Sequence, residues 1–224
     1  MRAALFDFDG VLVDSEPLHY KALRESLQPE GVTIDEEEYR RHYLAYDDRE
    51  SIRIALEQHG KAYDPAVVQT VAERKARLFQ EQIQGIPLYP GALELVRSLS
   101  REVPLAIASG ALRGEIEAIL SALGLRDAFR AVVGAEDVSS GKPHPEPYLA
   151  AIARLAPFAP SLAPNQCLVF EDSMAGIASA LAAGMKVVGV AHTYPRSRLS
   201  AAHLVVESLE AVTLADVRSL FPPC

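Results

Sequence analysis

The run Ala3-Ala4-Leu5-Phe6-Asp7-Phe8-Asp9-Gly10-Val11-Leu12-Val13-Asp14 decides how the rest of the chain is read. Its first four residues are apolar, as in a strand buried on both faces, and aspartates gather where that strand would end. On an extended backbone residues i and i+2 point the same way, so the carboxylates of Asp7 and Asp9 are expected to converge there. Like charges that close are tolerated mainly when a cation or a proton compensates them. Gly10 lets the chain turn sharply or approach a ligand closely. The plainer alternative is an acidic turn, since Asp and Gly are common turn residues.

The bulk of the chain sets limits. Its 224 residues exceed one average domain yet fit one domain carrying an insertion, and 49% hydrophobic residues allow a sizeable core. A net charge of -8 argues against a nucleic-acid surface, which needs clustered Lys and Arg. An anionic substrate would depend on a few local cations. Cys167 and Cys224 have no ligand-like spacing, so neither a disulfide nor a zinc framework is expected. The N-terminus lacks a signal-peptide pattern, and no apolar run is long enough for a bilayer. The expectation is a reduced, cytoplasmic, monomeric protein that binds neither membrane nor nucleic acid.

Working outward from the first strand, short apolar runs recur at residues 104–108, 131–133, 167–170 and 187–190, with helical patterns between most of them. That alternation predicts an α/β fold with a Rossmann-like parallel sheet. The first gap differs. Residues 15–85 are charged and helix-rich, with helices predicted at 20–27, 36–43, 51–59 and 66–82 and no good strand. A stretch that long is no single crossover, so a small helical domain is expected over 15–87, inserted into a core of 1–14 and 88–224. Pro17 marks its start, and Pro87 with Tyr89-Pro90-Gly91 the return. The core then resumes with a helix at 93–99, and the Ala/Pro-rich residues 156–160 read as a surface loop.

In open parallel sheets ligands bind at the carboxyl ends of the strands. After the second strand come Ser109 and Gly110, ahead of a helix starting near Leu112 whose backbone N–H groups favour anions; Ser109 could equally support the turn. After the third, a longer loop ends Ser140-Gly141-Lys142-Pro143, where Lys142 offers either a point charge over the site or a solvated lysine. This is not a P-loop: six residues separate Gly134 from Gly141, and Pro143 replaces the Ser or Thr that would bind magnesium. The fourth strand is followed by Glu171-Asp172-Ser173 before an Ala/Gly-rich helix, which Asp172 or Ser173 could simply cap. With Asp7 and Asp9, this second carboxylate pair forms an oxygen-rich set suited to a hard divalent cation.

In this order the residues resemble the haloacid dehalogenase superfamily. Asp7-Phe8-Asp9-Gly10 matches its first motif, Ser109 the second, Lys142 the third and Glu171-Asp172 the fourth, and the insertion looks like its type-one helical cap. The resemblance extends to beta-phosphoglucomutase and phosphoglycolate phosphatase. It implies a magnesium-dependent phosphatase of a small phosphorylated metabolite. Asp7 would be the nucleophile that forms an aspartyl-phosphate, and Asp9 the acid and then the base. The Asp7 carboxylate, the Asp9 backbone carbonyl, Asp172 and Glu171 would hold Mg2+, with Ser109, Gly110 and Lys142 around the phosphoryl oxygens. Dehalogenases of the superfamily lack the second aspartate, so Asp9 favours phosphoryl transfer.

The cap is expected to set specificity. His19 stands where beta-phosphoglucomutases carry a cap histidine, although a helix-surface or cap-core histidine fits as well. Arg49, Lys75 and Arg113 are possible substrate cations or ordinary surface charges. The segment Leu44-Ala45-Tyr46-Asp47-Asp48-Arg49 lacks the mutases' cap-loop glycine and shifts the arginine, which puts mutase activity in doubt. A sugar phosphomutase is the enzymatic alternative; a silent phosphometabolite-binding protein or a signalling receiver module are the others. In receivers, however, the lysine comes last, whereas Lys142 precedes Glu171-Asp172.

Overall fold

A computed structural model describes residues 1–43 and 46–221, apart from the side chain of Gln84. Leu44 and Ala45 of the segment compared above lie outside the described residues, as does Cys224. Six strands, β1 (Ala3–Phe6), β2 (Leu105–Ala108), β3 (Phe129–Val133), β4 (Cys167–Glu171), β5 (Lys186–Val190) and β6 (Leu204–Val206), form one sheet in the order β3-β2-β1-β4-β5-β6. Every neighbouring pair is parallel. The apolar runs of β1, β2 and β4 are wholly buried, as strands covered on both faces must be. β3 begins two residues before the run at 131–133, because exposed Arg130 interrupts its apolar pattern. The short edge strand β6 has no counterpart among the predicted strands.

The chain divides into two compact units, Ser15–Ile86 and the remainder. The inserted unit holds α1 (Glu16–Leu27), α2 (Glu36–His42), α3 (Asp48–Gln58) and α4 (Pro65–Gln82), and no strand among its described residues. Asp35, Asp47 and Asp64 each accept a backbone N–H at 2.8–3.0 Å and so start the last three helices. The Asp47 cap explains why α3 begins before Ser51, where the apolar period first appears. Pro17 is not a breaker outside the helix but lies in the first turn of α1, where a missing N–H costs nothing. Leu23, Leu27, Ile52, Leu56 and Val71 build this unit's own core.

The sheet-bearing unit adds α5 (Ala92–Ser100), α6 (Arg113–Ala122), α7 (Glu146–Leu155), α8 (Met174–Ala182) and α9 (Leu214–Ser219). Leu5, Ala106, Val133, Val169 and Val187 pack in one buried cluster with Tyr148 of α7 and Ile177 of α8. Phe6 stacks on Phe170 at 4.7 Å between ring centroids and meets Phe129 edge-on at 5.9 Å. With β1 central, Phe6 pairs with Ile107 of β2 and Phe170 of β4, so three strand ends lie side by side. No helix among the described residues is long and apolar enough to cross a membrane.

Candidate active site

Asp7 is the first residue beyond β1, and its N–H donates to the Phe170 carbonyl at 3.0 Å, prolonging the pairing with β4. The chain then turns. Gly10 takes φ +80°, and its N–H donates to the Val13 carbonyl at 3.0 Å. A Cβ on Gly10 would stand 2.1 Å from Asp172 Oδ2 and 2.8 Å from Thr193 Oγ1, so glycine is required by conformation and by space. The close approach is to the protein's own carboxylate. Asp9 lies beyond the end of β1 and forms an isolated bridge with Val13.

The carboxylates that converge are Asp7, Glu171 and Asp172, each offering an oxygen within 4.8 Å of the others. Lys142 Nζ bridges two of them, donating to Asp7 Oδ1 at 2.7 Å and Glu171 Oε1 at 2.6 Å. Glu171 is fully buried, and both its oxygens are engaged. Oε1 also accepts from the Tyr148 hydroxyl at 2.7 Å. Oε2 accepts from Asp172 N at 3.1 Å, Ser173 N at 3.2 Å and Ser173 Oγ at 3.0 Å. Ser173, not Asp172, caps α8 by accepting the Gly176 N–H at 3.0 Å. Asp172 hydrogen-bonds the Thr193 hydroxyl beyond β5.

One ammonium faces three carboxylates. Burial pushes Asp7 well above the ordinary carboxylate range even with Lys142 on it, and Glu171 and Asp172 add to the rise. Burial, then Glu171, push Asp172 up to about 6. Burial opposes the charge on Lys142, yet Asp7 and Glu171 more than compensate and raise it above the usual lysine value. Hard oxygen donors with surplus negative charge and little water are the donor set a divalent cation fits.

Ser109 is buried beside this cluster's strand ends; its N–H donates to the Val133 carbonyl at 3.0 Å and its Oγ accepts from Ala111 N at 3.1 Å. Gly110 is exposed, with open space where a Cβ would stand. The start of α6, expected to favour anions, already has one of its own: the Glu136 carboxylate accepts from Arg113 N at 3.1 Å. The Arg113 guanidinium pairs with Asp137 at 2.9 Å, which Arg154 also grips at 2.7 Å. Chiefly through Arg154, Asp137 is held below the usual carboxylate range.

His19, Arg49 and Lys75 belong to the inserted unit. His19 stacks on Phe79 at 4.4 Å and its Nδ1 lies 3.0 Å from Lys75 Nζ. Burial, then the Lys75 charge, lower the imidazole to about 4. Lys75 is no solvated surface lysine: it is 3% exposed and paired with Asp48. Arg49 donates to Gln69 Oε1 at 2.6 Å.

Three contributors escape the sequence reading. Thr193 follows the fifth strand, and reading that strand's end like the other four finds it. His192 beside it reaches the Gly10 carbonyl at 3.0 Å through Nδ1 and stacks on Tyr89 at 3.9 Å. Tyr148 carried no signal, because an aromatic at an apolar helix position reads as core.

Residues 1–184 match the family model of the haloacid dehalogenase-like hydrolases. A phosphorylated carbohydrates phosphatase of Thermotoga maritima is 34% identical over 195 residues, 86% of this chain and 87% of that protein. The fructose-1-phosphate phosphatase YqaB of Escherichia coli is 34% identical over 83% of this chain and 94% of its own length. The crystal structure of CbbY from Rhodobacter sphaeroides in complex with phosphate superposes with a TM-score of 0.81 at 28% identity, covering 96% of this chain and 98% of that one. A family match over most of the sequence, relatives aligned over more than four fifths of each chain and the shared fold agree that this chain belongs to the haloacid dehalogenase-like hydrolases.

Proposed function

We propose that the chain is a magnesium-dependent phosphatase of a small phosphorylated metabolite, with phosphorylated sugars as the leading substrate class. The observation that carries this reading is Lys142 bridging Asp7 and Glu171 beside Asp172 at the strand ends. The sugar class rests on the activities for which the Thermotoga and Escherichia relatives are named.

In this mechanism an Asp7 oxygen attacks phosphorus, the O–P bond to the substrate's alcohol breaks, and an aspartyl-phosphate forms. Asp9 gives its proton to the departing alkoxide and then takes one from the water that attacks the phosphorus. The Asp7–phosphorus bond breaks, inorganic phosphate leaves and the carboxylate is restored. Lys142, Ser109 and the Gly110 backbone hold the phosphoryl oxygens. The carboxylates of Asp7 and Asp172 and the backbone carbonyl of Asp9 would hold Mg2+, which when bound offsets the repulsion between carboxylate and phosphate dianion. Glu171, its oxygens engaged by five protein donors, fits a supporting place around the metal better than a direct one. Substrate choice is assigned to the inserted unit, with His19 and Arg49 as its candidates; Arg113 is committed to Asp137.

The test is phosphate release from a chromogenic aryl phosphate and a panel of sugar phosphates, with magnesium and with chelator. Turnover that needs magnesium, is abolished in Asp7→Asn and is severely slowed in Asp9→Asn is expected. Near-normal activity in Asp7→Asn would falsify the assignment. Isomerised monophosphate from beta-glucose 1-phosphate with a trace of the bisphosphate would replace it with the mutase.

A further inference from the structure

Tyr148 is among the largest fully buried side chains, yet its hydroxyl is not spent on a local backbone group. It donates to Glu171 Oε1 at 2.7 Å, the same oxygen that accepts Lys142 Nζ at 2.6 Å. The Lys142 ammonium also lies 5.1 Å from the centroid of the Tyr148 ring. Its remaining described contact is Asp7 Oδ1 at 2.7 Å. A phenylalanine would fill the same volume without burying a polar group, so packing alone does not account for the hydroxyl.

We propose that Tyr148 is a positioning residue that sets how Lys142 is shared between Glu171 and the nucleophile Asp7. A proton donor on Glu171 Oε1 takes up part of that oxygen's charge and weakens its pull on the ammonium, leaving more of the ammonium for Asp7. The ring face supports the same charge from a third side. Without the hydroxyl, Glu171 draws Lys142 away from Asp7, and the cation that should meet the phosphoryl oxygens is displaced. This inference rests on the phosphatase reading above.

The experiment compares the parent with Tyr148→Phe, which keeps the ring, and Tyr148→Leu, which loses it. It measures kcat and KM for a chromogenic aryl phosphate, magnesium affinity of the free proteins by calorimetry, and thermal midpoints. Tyr148→Phe is expected to lower kcat about tenfold while KM stays within about twofold, since one charge-assisted hydrogen bond is lost. Tyr148→Leu should lower kcat about tenfold further if folded, because the ring support goes too. Magnesium should bind Tyr148→Phe as tightly as the parent or more tightly, because Asp7 is then less compensated. General loosening of the site would weaken magnesium binding and turnover together. Parental kcat in Tyr148→Phe, or joint loss of kcat and magnesium affinity, overturns the inference alone. A parent that turns over no phosphate ester removes the phosphatase reading and this inference with it.

Discussion

Replacing Asp172 by asparagine asks whether the acidic cluster is held ready for a cation. Burial, then Glu171, raise the Asp172 carboxyl from 3.8 to about 6, so its ionised form is disfavoured in the fold relative to the unfolded chain. Each pKa unit is worth about 1.4 kcal/mol, and allowing for relaxation the charge costs about 1.5–3 kcal/mol at neutral pH. Asparagine keeps the shape and an oxygen for the Thr193 hydroxyl but carries no charge. In chelator Asp172→Asn should therefore be the more stable protein by that amount, roughly 2–4 °C in midpoint per kcal/mol for a chain of this size. The folded value is raised, so the parent's contribution from this group is complete below 3.8 and lost as pH rises through about 6. The gap between the proteins should open across that window and stay constant above it. Magnesium should close most or all of that gap: a ligand at a hundred times its dissociation constant stabilises the parent by about 2.7 kcal/mol, and the variant, one carboxylate short, gains much less. Scanning calorimetry of both proteins in chelator and in magnesium provides the measurement. A variant less stable than the parent in chelator, or equal stabilisation of both by magnesium, would refute the reasoning.

Two further substitutions probe local packing, one in each unit. Glycine to alanine within a helix usually stabilises by about 0.5–1 kcal/mol, but a Cβ on Gly176 would stand 1.7 Å from Glu171 Oε1. The carboxylate would have to leave Lys142 and Tyr148, so Gly176→Ala should destabilise by at least about 3 kcal/mol and lower kcat; urea midpoints no lower than the parent's would show that α8 shifts freely. In the inserted unit, the His19 value is lowered to about 4 by burial and Lys75, so the unfolded chain takes up a proton first. Relative to His19→Gln, the parent should lose about 1–3 kcal/mol as pH falls from 6.5 towards about 4, and a pH-independent difference would contradict the buried neutral imidazole.

The sheet and the helical insertion were legible because apolar runs and helical periods are local, and strand ends follow from them. Asp7, Ser109, Lys142 and Asp172 could therefore be picked out by reading what comes after each strand. Extended alternation expects Asp7 and Asp9 on one side, but β1 stops at Phe6 and Asp9 lies beyond it, bridged to Val13. What brings carboxylates to Asp7 is register: Phe6 pairs with Phe170, so Glu171 and Asp172 emerge beside Asp7 from the neighbouring strand. Register between strands far apart in sequence is a tertiary quantity, and no spacing within one segment encodes it. Tyr148 and Gly176 lie beyond sequence reading for the same reason. One is a core-like aromatic whose hydroxyl happens to meet Glu171, and the other matters through an atom it does not have. Motif spacing thus finds the groups placed by their own strand, while those that aim them must be found through the carboxylate they surround.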